Sequence, residues 1–115
     1  MKKFIKGFNF AINGLKYTIK TQINFKVHLV AACLAISTGL YLELNSEEWL
    51  WISFAIGIVL IAELLNTAME ALTDLLSPEY NPKAGNIKDI SAAMVLISSF
   101  LALVIGLLIF VPKLF

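Results

Sequence analysis

The 115-residue chain has no arginine, one cysteine, one histidine and only 15% charged residues. Without arginine it lacks the planar fork that grips phosphate or base edges in two places, which makes nucleic acid a poor partner. A lone Cys33 excludes an intrachain disulfide and a CxxC metal or redox site. The six glycines (7, 14, 39, 57, 85 and 106) are scattered, and GxxxxGK[ST], GxGxxG and HExxH do not occur, so the familiar phosphate loops and the helical zinc motif are absent. No A-x-A-like small-residue site closes the first apolar stretch, so no cleaved leader is expected. Internal repeats and low-complexity segments are missing as well.

What the chain has in abundance is apolar surface. Hydrophobic residues make up 59% and the mean hydropathy is +0.84, whereas soluble domains are about 45–50% apolar with about 25% charge. The composition predicts an all-α integral membrane protein, one domain over 1–115. Three apolar stretches follow one another at 25–42, 49–76 and 90–112. The third is charge-free over 23 residues and easily spans a bilayer. The second, at ~1.5 Å per residue, reaches ~42 Å against a hydrocarbon core of ~30 Å, so one of its ends must emerge.

Charge is distributed unevenly. Residues 1–42 carry six lysines and no acid, and the remainder carries three lysines and eight acids. Lys83 and Lys88 lie between the second and third stretches, while 43–48 holds acids and no lysine. The positive-inside tendency places the amino terminus and the connector 77–89 in the cytoplasm, with Trp49 and Trp51 at the outer interface. Residues 2–24 are expected to form an amphipathic helix. Ile5, Phe8, Ile12, Leu15 and Ile19 share one face, opposite Lys2, Lys6, Lys16, Lys20, Asn9 and Asn13. That face either lies in the membrane surface or packs on the other helices. Two prolines and a glycine make 77–89 a turn-rich connector.

The chemistry concentrates in the second span. Glu63, Asn66, Glu70 and Asp74 step by i, i+3, i+7 and i+11, within an ~80° arc of a helix. Each intramembrane acid costs about 2.5–3.5 kcal/mol on insertion scales, so such residues face a bundle interior or an aqueous cavity. From Trp49, Glu63 lies ~21 Å inward and Glu70 ~31 Å, so the stripe can touch a lipid headgroup and a soluble nucleotide together. Asp74 also admits the plainer account of a solvated helix end. Carboxylates plus an amide suit Mg²⁺, which takes its other ligands from water and substrate phosphates, and a desolvated carboxylate suits a general base acting on an alcohol. Lys88, at the border of the third span, either meets phosphate as a point charge or snorkels; Asp89 would orient it or cap the helix. His28, at the mouth of the first span, is expected to pack or hydrogen-bond rather than to bind metal.

These residues resemble a known family. Glu63-Leu64-Leu65-Asn66-Thr67-Ala68-Met69-Glu70 through Asp74 is similar to the E-x-x-N-[ST]-A-[IM]-E-x-x-x-D signature of prokaryotic diacylglycerol kinases, which include undecaprenol kinases. Ile87-Lys88-Asp89 through Ala92-Ala93 resembles a second segment, and Gly14-Leu15 with Asn24-Phe25-Lys26-Val27-His28 the amino-terminal part, in the undecaprenol-kinase form. The likeness covers about residues 3–105. It implies a homotrimeric lipid kinase that uses ATP and Mg²⁺, with active sites between subunits. Glu63 would be the catalytic base and Glu70 a metal ligand that also meets ATP. Glu79, Tyr80, Asn81, Lys88 and Asp89 would contact the nucleotide, while Asn66, Asp74 and Ala92 would support the site or the substrate. Lys3 and Phe10 stand where relatives usually have Arg and Tyr near ATP. Gln22 stands in place of a glutamate shared by metal and nucleotide; its amide oxygen can still ligate Mg²⁺, without charge. Two other readings compete: a proton-coupled multidrug-type transporter, which wants its acid near mid-membrane and usually four spans, and a structural membrane subunit, which gives no reason for four polar residues on one face.

Overall fold

The computed structural model describes all residues, 1–115, as four helices: α1 (Lys2–Thr21), α2 (Ile23–Tyr41), α3 (Ser46–Leu76) and α4 (Pro82–Leu114). Helices α2, α3 and α4 are each long and apolar enough to cross a membrane. They follow one amphipathic helix, as the apolar pattern predicts.

The boundaries show how local chemistry divides the chain. Helix α1 stops at Gln22, whose backbone is extended at φ −116° and ψ 108°, so the surface helix expected over 2–24 ends three residues early. At the next turn, Asn45 and Glu48 form a reciprocal capping box: Asn45 Oδ1 accepts from the Glu48 N–H at 2.9 Å, and Glu48 Oε1 accepts from the Asn45 N–H at 3.0 Å. This satisfies two backbone donors that the start of α3 leaves open. The connector expected at 77–89 is much shorter. Asn81 Oδ1 accepts from the Lys83 N–H at 2.9 Å, Pro82 occupies the first helical position, where its missing N–H costs nothing, and the chain is helical from there. Asp89 therefore lies two turns inside α4 and does not cap it.

Packing runs along seven-residue stripes. The buried positions of α2 are Phe25, Ala32 and Gly39, and those of α4 are Ser91, Ser98 and Ile105. Seven-residue spacing is the seam of helices lying nearly side by side. Helix α3 supplies the matching face through Ile52, Ala55, Val59, Ala62, Glu63 and Asn66, and packs mainly on α4 and then on α2. Its two ends differ. Near Trp49, an apolar cluster joins Leu44, Ile52, Ala55 and Ile105; toward the other end, α3 meets α4 through polar contacts, Asn66 to Ser91 and Asp74 to Lys88. Ion pairs close both ends of the α3–α4 hairpin, Glu48 to Lys113 at 3.2 Å and Asp74 to Lys88 at 2.6 Å.

The molecule is a slab of 52 × 41 × 20 Å. Ile5, Phe8, Ile12, Leu15 and Ile19 of α1 all remain exposed, so most of that face is left uncovered within one chain.

The turn after α2 is tight. A Cβ on Gly39 would stand 2.7 Å from the Trp49 ring and 2.8 Å from Leu44 Cδ1, and both side chains are held in the apolar cluster. Gly39→Ala is therefore expected to destabilise the fold by about 1–3 kcal/mol through overpacking. Thermal denaturation in detergent would register this as a lower Tm; an unchanged Tm would mean that the Trp49 ring moves freely.

Candidate active site

The polar stripe on α3 grades from buried to exposed along its length. Glu63 is 1% exposed and Asn66 8%, Glu70 is half-buried and Asp74 is exposed. The helix thus carries the acids from the packed interior out to the α1 end of the slab, as its spacing predicts.

Glu63 is the most constrained of them. His28 of α2 brings Nε2 to 3.2 Å from Glu63 Oε1, yet that oxygen accepts no hydrogen bond. The imidazole is near enough for an electrostatic contact but is not aligned on the carboxylate. A buried carboxylate oxygen without a donor is rare and points to a functional requirement. Its backbone carbonyl is occupied, accepting from Thr67 Oγ1 at 2.9 Å.

Asn66 ties α3 to α4. Its Nδ2 donates to Glu70 Oε1 at 3.2 Å, and its Oδ1 accepts from the buried Ser91 hydroxyl at 2.8 Å. A carboxylate can only accept, so the amide NH₂ must face Glu70 and the amide oxygen Ser91. The relay fixes one oxygen of Glu70; the other makes no hydrogen bond.

Lys88 is oriented by Asp74, fourteen residues away, and not by the adjacent Asp89, which forms no ion pair. Lys88 lies ahead of the charge-free run 90–112. The hydrogen bond that its ammonium donates to Asp74 holds its pKa above the ordinary value; desolvation opposes this, and the charges of Asp74 and then Glu70 add to the rise.

The structure thus links Asn66 to Glu70 and Asp74 to Lys88, with Glu63 on the same helical face. It does not draw the remaining candidates into this network. Lys3 and Phe10 are exposed on α1, Glu79, Tyr80 and Asn81 are exposed on the connector, and Ala92 and Asp89 are exposed on α4. Asn81 spends its side-chain oxygen on the α4 cap. Gln22 is half-buried at the break between α1 and α2. Helix α1 flanks α3 across a groove lined by Gly14, Thr18, Thr67, Ala68 and Ala71, which places the surface helix beside the stripe.

Two participants escape a reading of the stripe alone: His28 as the neighbour of Glu63, and Ser91 as the partner of Asn66. A signal for both existed. His28 sits three residues after Phe25 and four before Ala32, on the buried face of α2, and Ser91 opens the 91/98/105 stripe.

No three acids, histidines or cysteines of the chain converge as a ready metal cage. Mg²⁺ does not need one, since one or two carboxylates serve when phosphates and water complete its shell. The free oxygen of half-buried Glu70 fits that requirement.

The chain is also similar to known proteins. A family model described as prokaryotic diacylglycerol kinase matches residues 9–110. An undecaprenol kinase of Bacillus subtilis (strain 168) is 40% identical over 99% of this chain and 93% of its own length. A diacylglycerol kinase of Synechocystis is 32% identical over 94% of this chain and 62% of its own length, and one of Escherichia coli K12 is 28% identical over 89% and 84%. With nearly its whole length matched, the chain belongs to the prokaryotic diacylglycerol kinase family.

Proposed function

We propose that the chain transfers the γ-phosphoryl group of ATP to the hydroxyl of a membrane lipid, with a long-chain polyprenol such as undecaprenol as acceptor and the polyprenyl phosphate as product. The observation that carries the reading is Glu63, a buried carboxylate with an oxygen free of hydrogen bonds, on a stripe that runs out to the nucleotide side. The polyprenol is favoured over diacylglycerol by the higher identity of the undecaprenol kinase, 40% against 32% and 28% for the two diacylglycerol kinases.

Glu63 takes the proton of the lipid hydroxyl as its oxygen bonds to the γ-phosphorus; the bond from that phosphorus to the β,γ-bridging oxygen breaks, and ADP leaves with the electron pair. Such transfer needs positioning and charge neutralisation more than covalent chemistry. Lys88, held by Asp74, meets the phosphates, and Glu79, Tyr80, Asn81 and Asp89, with Lys3 and Phe10 of α1, supply further contacts to the nucleotide. Glu70 and Gln22 would hold Mg²⁺, which when bound neutralises phosphate charge. Asn66 and Ser91 keep Glu70 in place. Because the slab is 20 Å thick and most of its surface is uncovered, a neighbouring copy must close the site; a homotrimer in the cytoplasmic membrane, with the amino terminus and the α3–α4 connector facing the cytoplasm, meets that need.

The test is phosphorylation of undecaprenol and diacylglycerol, side by side, by purified protein in lipid nanodiscs with radiolabelled ATP. Polyprenyl phosphate formed faster than phosphatidic acid is the expected result. Incorporation into neither lipid removes the kinase reading.

A further expectation concerns Gln22. A neutral ligand attracts a hard divalent cation less than a carboxylate does in a partly desolvated site. Gln22→Glu should lower the Mg²⁺ concentration for half-maximal activity by severalfold in a titration at saturating ATP. Superimposable curves would place position 22 outside the metal's shell.

A further inference from the structure

With one exception, every serine or threonine hydroxyl that donates a hydrogen bond inside a helix reaches back to a carbonyl three or four residues earlier, as Thr67 does to Glu63 and Ser98 to Val95. Such back-bonding is the local option for these residues in a helix. Ser91 is the exception: it leaves the backbone of α4 and donates across the helix pair to Asn66 Oδ1, at 2.8 Å. Both partners are enclosed, Ser91 being 1% exposed and Asn66 8%. Asn66 spends its other end on Glu70, where Nδ2 donates to Oε1 at 3.2 Å, while Oε2 takes no hydrogen bond. Three residues on two helices thus leave Glu70 with one oxygen held and one free.

We propose that Ser91 determines the ion specificity of the metal site: acting through Asn66, it confines Glu70 to coordination by one oxygen and so sets a preference for Mg²⁺ over Ca²⁺. This rests on the reading of Glu70 as a metal ligand and deepens it. Ser91 itself meets neither metal nor nucleotide, so it is a positioning residue. The two cations use a carboxylate differently. Ca²⁺ takes about six to eight oxygens in flexible geometry and binds a carboxylate through one oxygen or both, whereas Mg²⁺ demands an octahedral shell, keeps several waters and uses one or two carboxylates. A carboxylate free to turn both oxygens on the ion therefore serves Ca²⁺, and one pinned at Oε1 serves Mg²⁺. The pin depends on Ser91. Without that hydroxyl, Asn66 Oδ1 is a buried acceptor with no donor, a costly state, and the amide turns to find one, withdrawing its NH₂ from Glu70. No other hydrogen bond or ion pair fixes the Glu70 carboxylate, so it is then free to rotate.

The test reads metal binding directly, on the full-length protein in phosphatidylcholine nanodiscs with a non-hydrolysable ATP analogue. Bound Mn²⁺ is followed by electron paramagnetic resonance while Mg²⁺ or Ca²⁺ is added to displace it. The ratio of the two displacing concentrations measures selectivity, and the nucleotide's own preference is common to all variants and cancels between them. A hydrogen bond to a charged group commonly contributes a factor of about ten or more. Ser91→Ala should therefore move the ratio toward Ca²⁺ by about tenfold, and Ser91→Cys, whose thiol is a weak donor, by less in the same direction. In a Glu70→Gln background, where the amide offers the ion a single oxygen in any rotamer, Ser91→Ala should leave the ratio unmoved. A general loosening of the helix pair would move it in both backgrounds. The inference is overturned if Ser91→Ala keeps the wild-type ratio within about twofold, or if it shifts the ratio equally in the Glu70→Gln background. Should Ser91→Ala lose its oligomer on size exclusion, Ser91→Cys decides by the same two comparisons. Mn²⁺ held as tightly by Glu70→Gln as by wild type would instead remove Glu70 from the metal, and with it the reading on which the inference stands.

Discussion

Glu63→Gln is expected to abolish lipid phosphorylation, by about 10²–10⁴-fold, the usual contribution of a positioned general base, while the protein remains folded and assembled. Glutamine preserves the volume and the oxygen at this 1%-exposed position but cannot take a proton from an alcohol. A second readout separates this from a structural role. Holding a carboxylate in a desolvated site costs stability, so the neutral amide should leave the Tm unchanged or raise it. Initial rates of lipid phosphorylation, with size-exclusion profiles and thermal melts of the same preparations, check both halves. Activity within threefold of wild type would remove Glu63 from the base role, and a fall in Tm together with activity would make it a packing residue.

The parts of this site that lie along one helix are legible in the sequence, and those that lie between helices are not. Glu63, Asn66, Glu70 and Asp74 fall on one face because helical geometry fixes their angles, and the structure grades their burial in the same order. Spacing on a single helix says nothing about the register of the next one. Thus Lys88 looks like a partner for adjacent Asp89, yet meets Asp74 across the hairpin. Asn66 needs Ser91, twenty-five residues away, and His28 reaches Glu63 only because α2 packs against the middle of α3. The start of α4 is a different kind of miss. Pro82 reads as a turn former with Pro78 and Gly85, but preceded by the cap Asn81 it is a helix initiator. The same residue type breaks a helix inside and starts one at its first turn.

Glu70→Gln should behave differently from Glu63→Gln, although both replace a carboxylate by an amide on the same face of α3. The substituted side chain keeps an oxygen for the Asn66 amide, which now donates at 3.2 Å, so the Ser91–Asn66 relay survives and the geometry changes little. What disappears is a negative charge at a half-buried position, and with it the attraction that offsets the reluctant dehydration of Mg²⁺. The expected result is a rise of about tenfold or more in the Mg²⁺ needed for half-maximal rate, with a parallel rise in KM for ATP, since metal and phosphates enter the site together. Excess Mg²⁺, or Mn²⁺ with its similar preference for oxygen ligands, should restore much of the rate. No metal restores Glu63→Gln, because there the lost group accepts a proton rather than holding a cation. Titrating both variants with both metals at saturating ATP compares the two directly. An active Glu70→Gln protein with the wild-type metal curve would assign Glu70 to the Asn66 relay alone and leave the metal to other ligands.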